Sequence, residues 1–226
     1  MNNNKEIKSH VQMPNFLLKE FEDIGHNLYY FDISNANFHF REYFIKKGHS
    51  KSLNVEKGYY SQFGENLLSK GSEEPFSKIV RTLKATDFDQ SPLYFGSDFR
   101  LDVLTFIGAL FFRDKKMLEV IGANSLFFNA FPKQFQHDLT VSLLDIEDIK
   151  RMFYDWTVTF LINRSRVPYV LPISGIYGGS KILRCSAGIL PITPYLAITL
   201  IKGKNVNFPI IDNQIAILTI DSNSAV

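Results

Sequence analysis

An α+β fold is the class this sequence predicts: N- and C-terminal strands forming a mainly antiparallel sheet, with a central helical region packed on it. Three observations predict it. Aromatic and β-branched runs bounded by turn residues stand near the start, apolar residues recur at a period near 3.6 from Tyr59 to Phe153, and from Trp156 the period falls to near 2. Helices grouped between strands, instead of alternating with them, separate α+β from α/β. No repeat, linker or low-complexity tract divides the chain, so residues 1–226 are expected to form a single α+β domain.

The elements follow in order. Pro14 precedes an apolar cluster of Phe16, Leu17, Leu18 and Phe21. Gly25-His26-Asn27 is a turn before a strand over Leu28–Ile33, and Phe38–Ile45 is a second strand. Tyr59, Tyr60, Phe63 and Leu67 recur at helical spacing up to Gly71, a stop signal. Ser72 is then an N-cap with Glu73 and Glu74 in the first turn, where the helix dipole favours negative charge. Phe76, Ile79, Val80 and Leu83 form the i, i+3, i+4, i+7 stripe of a helix with one buried face. After a loop over Thr86–Gly96, Ser97 or Asp98 caps a helix carrying Leu101, Leu104, Ile107, Leu110 and Phe111 to Arg113. Lys116–Ile121 is helical, Pro132 ends this region, and Asp145 opens a helix with Ile146, Ile149 and Phe153 on one side. Thr157–Ile162 is a strand, with Val167–Ile173 its expected hairpin partner. Ile189–Ile192 and Tyr195–Lys202 are strands split by Pro194, and Ile210–Ile220 is a strand or a terminal helix.

Composition narrows the class of function. Hydrophobic residues make up 45% and charged residues 21%, which excludes wholesale disorder, a collagen-like repeat and a simple coiled coil. Twenty-five basic against 23 acidic residues leave a net charge of +2, so no global field draws the chain to nucleic acid or anionic lipid. Cys185 stands alone, which excludes an internal disulfide and a cysteine zinc site and fits a reducing, cytoplasmic setting. The start, Met1–His10, is polar. The longest apolar runs, Val103–Phe112 and Ile189–Ile201, fall short of the roughly 20 residues of a membrane span.

No motif identifies a reaction by itself. His10, His26, His39, His49 and His137 show neither i, i+4 spacing nor an HExxH pattern, so no metal or cofactor is expected; any one acts through tertiary convergence or is structural. Ser174–Lys181 fails the phosphate-loop pattern, and Ser174 lacks a nucleophile-elbow context. Carboxylates carry more promise. A helix, a Gly-Ser break and a second helix bring Glu65 towards Glu73 and Glu74, as general acid–base chemistry requires; a solvated first turn is the plainer reading. Arg113, ending an apolar helix face, anchors an anion bidentately or caps the helix C-terminus. Tyr59, Tyr60 and Phe128 offer stacking surfaces for single-stranded nucleic acid, but the charge balance gives that partner no support.

In their order along the chain these segments resemble a bacterial family catalogued as domain of unknown function 4238. The resemblance rests on Lys8–Phe21 with His10 and Pro14, on Tyr59-Tyr60, Glu65 and Glu73-Glu74-Pro75, on Phe111-Phe112-Arg113-Asp114, on Trp156–Asn163, and on Leu190-Pro191-Ile192-Thr193-Pro194. It departs at Tyr169–Gly175, where the family's strand end carries an Asp-Asn pair absent here, and in the four-residue spacing of His10 and Pro14. The family's activity is not established, so the resemblance implies an architecture and a bacterial setting without a reaction. Two functions are expected. The missing Asp-Asn pair favours a non-catalytic binding or regulatory module of a stress- or phage-defence kind, with a protein or small-ligand partner. The alternative is a nuclease-like hydrolase in which His10, one of the glutamates (Glu65 or Glu74) and Arg113 converge in a cleft, with Glu74 or His10 as general base and Arg113 stabilising developing negative charge.

Overall fold

The computed structural model describes residues 7–30, 45–88, 97–142, 146–153, 155–172, 176–177, 187–202 and 217–220. Near the start, β1 (Lys8–His10) pairs antiparallel with β4 (Val55–Lys57), setting His10 opposite Val55. β2 (Leu28–Tyr30) pairs antiparallel with β3 (Lys46–Gly48). Between β1 and β2, Pro14 leads into α1 (Asn15–Lys19), which buries Leu17 and Leu18. The rest of the strand expected over Leu28–Ile33, residues 38–44 of the second expected strand, and Cys185 lie outside the described residues.

The helical region departs from expectation at one point that matters for function. α2 (Gln62–Leu68), a π-helical segment (Ser69–Glu73) and α3 (Glu74–Ala85) make one continuous run, so Gly71 is not a stop and Ser72 is not an N-cap. The Ser72 hydroxyl is buried and donates to the Leu68 carbonyl at 2.8 Å. The Glu74 amide reaches back five residues to the Ser69 carbonyl. Pro75 supplies the reason for the wide turn. It has no N–H for the Gly71 carbonyl, and its ring would collide with that carbonyl in a regular α-helix. Opening one turn to the π spacing removes the collision without breaking the helix.

The apolar stripe of α3 is buried as expected at Phe76, Ile79, Val80 and Leu83. It packs on α4 (Ser97–Arg113), where the Phe76 and Phe106 rings stack at 3.9 Å and 3° with Phe16 tilted against both. α5 (Lys115–Asn124), α6 (Leu126–Asn129), α7 (Lys133–Ser142) and α8 (Ile146–Met152) follow. α6 and α7 lie where no helix was expected. The Arg100 guanidinium donates to the carbonyls of Phe153 and Trp156, tying α4 to the point where helix gives way to strand.

Four strands close the chain in the order β6-β7-β5-β8: β5 (Trp156–Asn163), β6 (Ala187–Thr193), β7 (Leu196–Lys202) and β8 (Ile217–Ile220). β5 and β6 both run antiparallel to β7, and β8 is parallel to β5. Of the expected partner Val167–Ile173, residues 167–172 form no strand beside β5 and Ile173 lies outside the described residues; β5 pairs antiparallel with β7 instead. Pro168 and Pro172 cannot donate to a ladder, and Tyr169 makes a single backbone bond, to the Pro194 carbonyl at 2.7 Å. The fold is α+β with mainly antiparallel pairing at both ends, as the sequence predicts, and among the described residues the terminal strands sit in separate sheets. One apolar core nonetheless joins Met13, Leu17 and Leu28 to α3, α4, Ile149, Phe153 and the inward residues of β5–β7. No described helix is long and apolar enough to cross a membrane.

Candidate functional site

Beside the main core, Val11, Tyr59, Tyr60, Leu68, Ala109 and Val141 form a smaller apolar cluster that backs a group of polar side chains. They come from four elements. β1 carries Ser9 and His10, α2 carries Glu65, the π segment carries Glu73, and α4 ends in Arg113. Burial and charge place them in one electrostatic neighbourhood: His10 feels Glu73 and Arg113, and Glu65 feels Ser9, Arg113, Glu73 and Asp138.

Helix geometry explains why Glu73 belongs to this group and Glu74 does not. On a regular α-helix the residue seven on from Glu65 shares its face, which is Ser72. The extra residue of the π turn shifts that place by one, bringing Glu73 onto the Glu65 face. Glu73 accepts from Arg113 Nη2. Arg113 is only 3% exposed and the Glu73 side chain 24%, so the pair runs from the interior towards water. Glu74 is exposed and accepts from the Ser69 hydroxyl at 3.3 Å, away from the ion pair. Of the candidates, His10 and Glu65 both lie within the field of Arg113 and Glu73, so Glu65 is the glutamate of the expected pair that joins the group; Glu74 does not, and Glu73 does.

α7 completes the arrangement. Asp138 Oδ1 accepts from the Ser61 amide at 3.0 Å, and Gln134 donates to the Tyr60 carbonyl at 3.1 Å, fixing the start of α2. Ser61 caps that start, its hydroxyl accepting from the Phe63 and Gly64 amides. The His137 ring stacks on Tyr59 at 3.6 Å, and Tyr60 meets Tyr59 edge-on at 4.9 Å. Gly64 is required where α2 and α7 touch, because a Cβ there would press on Asp138 Oδ1. Gly64→Ala displaces that carboxylate from the Ser61 amide, a loss of about 2 kcal/mol for a charge-assisted bond. Alanine returns about 1 kcal/mol of helix propensity. The expected net result is destabilisation by about 1 kcal/mol, checked as a lowered Tm.

Electrostatics set the site's protonation. Burial lowers the His10 pKa, opposed by Glu73 and the Leu53 backbone and assisted by Arg113. Burial raises Glu65, against the Ser9 hydroxyl and Arg113 and with Glu73 and Asp138. Burial likewise pushes the Tyr60 phenol up to about 12 and keeps Tyr59 a neutral donor. Five buried polar atoms here have no partner in good hydrogen-bond geometry among the described residues: Ser9 Oγ, His10 Nδ1, Tyr59 OH, Glu65 Oε1 and Arg113 Nε. Buried polar atoms are normally satisfied, so five at one place are what a polar ligand or ordered water would pair. Among the described residues no three or more His, Cys, Asp or Glu side chains are grouped to hold a metal ion.

Tyr59, Tyr60, Ser9, His137 and Asp138 were not assigned to the site from sequence. Paired tyrosines were visible there, but nothing in the chain order linked them to residues 133–142. No family model, curated protein or solved structure matches this chain.

Proposed function

We propose that the chain is a hydrolase with nuclease-like chemistry, its acid and base being Glu65 and His10 and its charge-stabilising group Arg113. The observation that carries this reading is the gathering of those three groups beside unpartnered buried donors. Neutral His10 accepts a proton from the attacking water, protonated Glu65 delivers one to the leaving oxygen, and Arg113 offsets the negative charge that develops between them. Burial acts on the two titrating groups in opposite senses, lowering His10 and raising Glu65, which favours the protonation states the roles require. The single cysteine and the resemblance to family 4238 support a cytoplasmic, bacterial setting for this reading, in which a role in stress or phage defence is proposed with it.

The test is hydrolysis of RNA, DNA and ester substrates by the wild type, Glu65→Gln and His10→Ala. Each variant is expected to lose about a hundredfold in kcat. Activity falls as pH drops and His10 protonates, and falls again as pH rises and Glu65 ionises, giving a bell-shaped profile. Full activity in Glu65→Gln removes the assignment. A second reading, a non-catalytic binding or regulatory module, is favoured by the exposed rings of Phe127, Phe131 and Phe135. It stands if no substrate is turned over and substitutions at these phenylalanines abolish capture of a partner.

A further inference from the structure

We propose that the Nε–Nη2 edge of Arg113 is a phosphoryl-binding site, and that Glu73 occupies half of it until the phosphoryl group displaces its carboxylate. This rests on the hydrolase reading and names its substrate class. A guanidinium presents two parallel N–H bonds along that edge, matched to two oxygens of one anion. Glu73 uses Nη2 alone, and Nε has no partner among the described residues although the side chain is almost wholly buried. An arginine so placed normally has its fork filled.

The neighbouring donors distinguish phosphoryl from carboxylate. A carboxylate is used up by the fork, whereas a phosphoryl group has further oxygens to bond. Tyr59 OH, buried, within the field of Arg113 and without a partner in good hydrogen-bond geometry among the described residues, is suited to take one of them, and the buried Ser9 hydroxyl, which lies beside Glu65, another. Glu73 is also the member of the pair able to leave. Its carboxylate is partly exposed, and it sits on the widened π turn, where the helix already departs from its tightest hydrogen bonding. Gly71, in the same segment, faces open space, where a Cβ would meet nothing within 4 Å.

The experiment is titration of the full chain with inorganic phosphate and with acetate, by calorimetry, in the wild type, Glu73→Gln and Arg113→Lys. Glu73→Gln should bind phosphate about tenfold more tightly, because the competing carboxylate is gone. Arg113→Lys should bind it more weakly, lysine having no fork. In the wild type, phosphate should also speed amide exchange across residues 69–74. That measurement decides the matter if Glu73→Gln fails to fold, as its circular dichroism would reveal. Unchanged or weaker phosphate binding in folded Glu73→Gln, acetate bound as tightly as phosphate, or exchange at 69–74 indifferent to phosphate would each overturn the inference. Phosphate binding as expected in a protein that hydrolyses nothing sustains this site and removes the hydrolase; turnover without these phosphate effects does the reverse.

Discussion

Replacing Arg113 with methionine is expected to lower the unfolding free energy by about 3 kcal/mol, because breaking a buried ion pair strands the remaining charge. Glu73 loses its partner, and Glu65 loses the one cation that offsets its burial. The deficit depends on pH in a definite sense. The pKa of Glu65 is raised in the folded state, so its ionisation costs stability as pH rises above its unfolded value of 4.5. Without Arg113 the folded value rises further and that cost grows, so the gap between variant and wild type is widest at neutral pH and narrows in acid. Pairing Arg113→Met with Glu73→Leu should recover the part of the loss that comes from stranding Glu73, while the part that comes from Glu65, which grows with pH, remains. Urea unfolding of the single and double variants across pH checks both statements; a double variant no more stable than Arg113→Met rules out the ion pair as the cause.

Phe76→Ala is expected to cost about 4 kcal/mol, the range for emptying a fully buried aromatic site. Phe76 has no exposed surface, its ring is stacked on Phe106, and Phe16 closes the third side. Three rings from α1, α3 and α4 leave little that can collapse into the gap. The effect should also reach the site, because Phe76 anchors the helix just beyond the turn that carries Glu73. Phe76→Leu should restore roughly half of the stability, measured as the shift in denaturation midpoint, and a loss under about 1 kcal/mol for the alanine variant would show that the stack contributes little.

Where the hydrophobic pattern was strong, sequence and structure agree for a physical reason. The stripe of α3, the apolar length of α4 and the apolar, β-branched runs of β5, β6 and β7, buried at successive residues, each admit few arrangements that bury their side chains. α7 has no such signal: Lys133–Ser142 mixes Gln134, His137 and Asp138 with few apolar residues, because its partners in the fold are largely polar. Gly71-Ser72 carries the local signature of a helix end, but Leu68, Ser72 and Phe76 are buried on one continuous run, and burial outweighs the cap preference. The same misplaced break explains why Glu74 stood in for Glu73. Without the π turn, the phase of the helix beyond it is wrong by one position. His10, Glu65 and Arg113 could be singled out as unusual in context, whereas Tyr59, His137 and Asp138 become neighbours only through tertiary packing.

The way α7 pins the start of α2 also bears on when the site comes into being as the chain is made. Asp138 meets Ser61 across 77 positions, Arg113 meets Glu73 across 40, and Ser9 and His10 come from the first strand. Local helices form quickly, but closing contacts over such separations is the slow part of folding. A nascent chain that stops short of residue 138 lacks the carboxylate that fixes the start of α2, so the placement of Glu65 against His10 and Arg113 waits on α7. If the site is a hydrolase, this delay keeps it silent until more than half of the protein has left the ribosome.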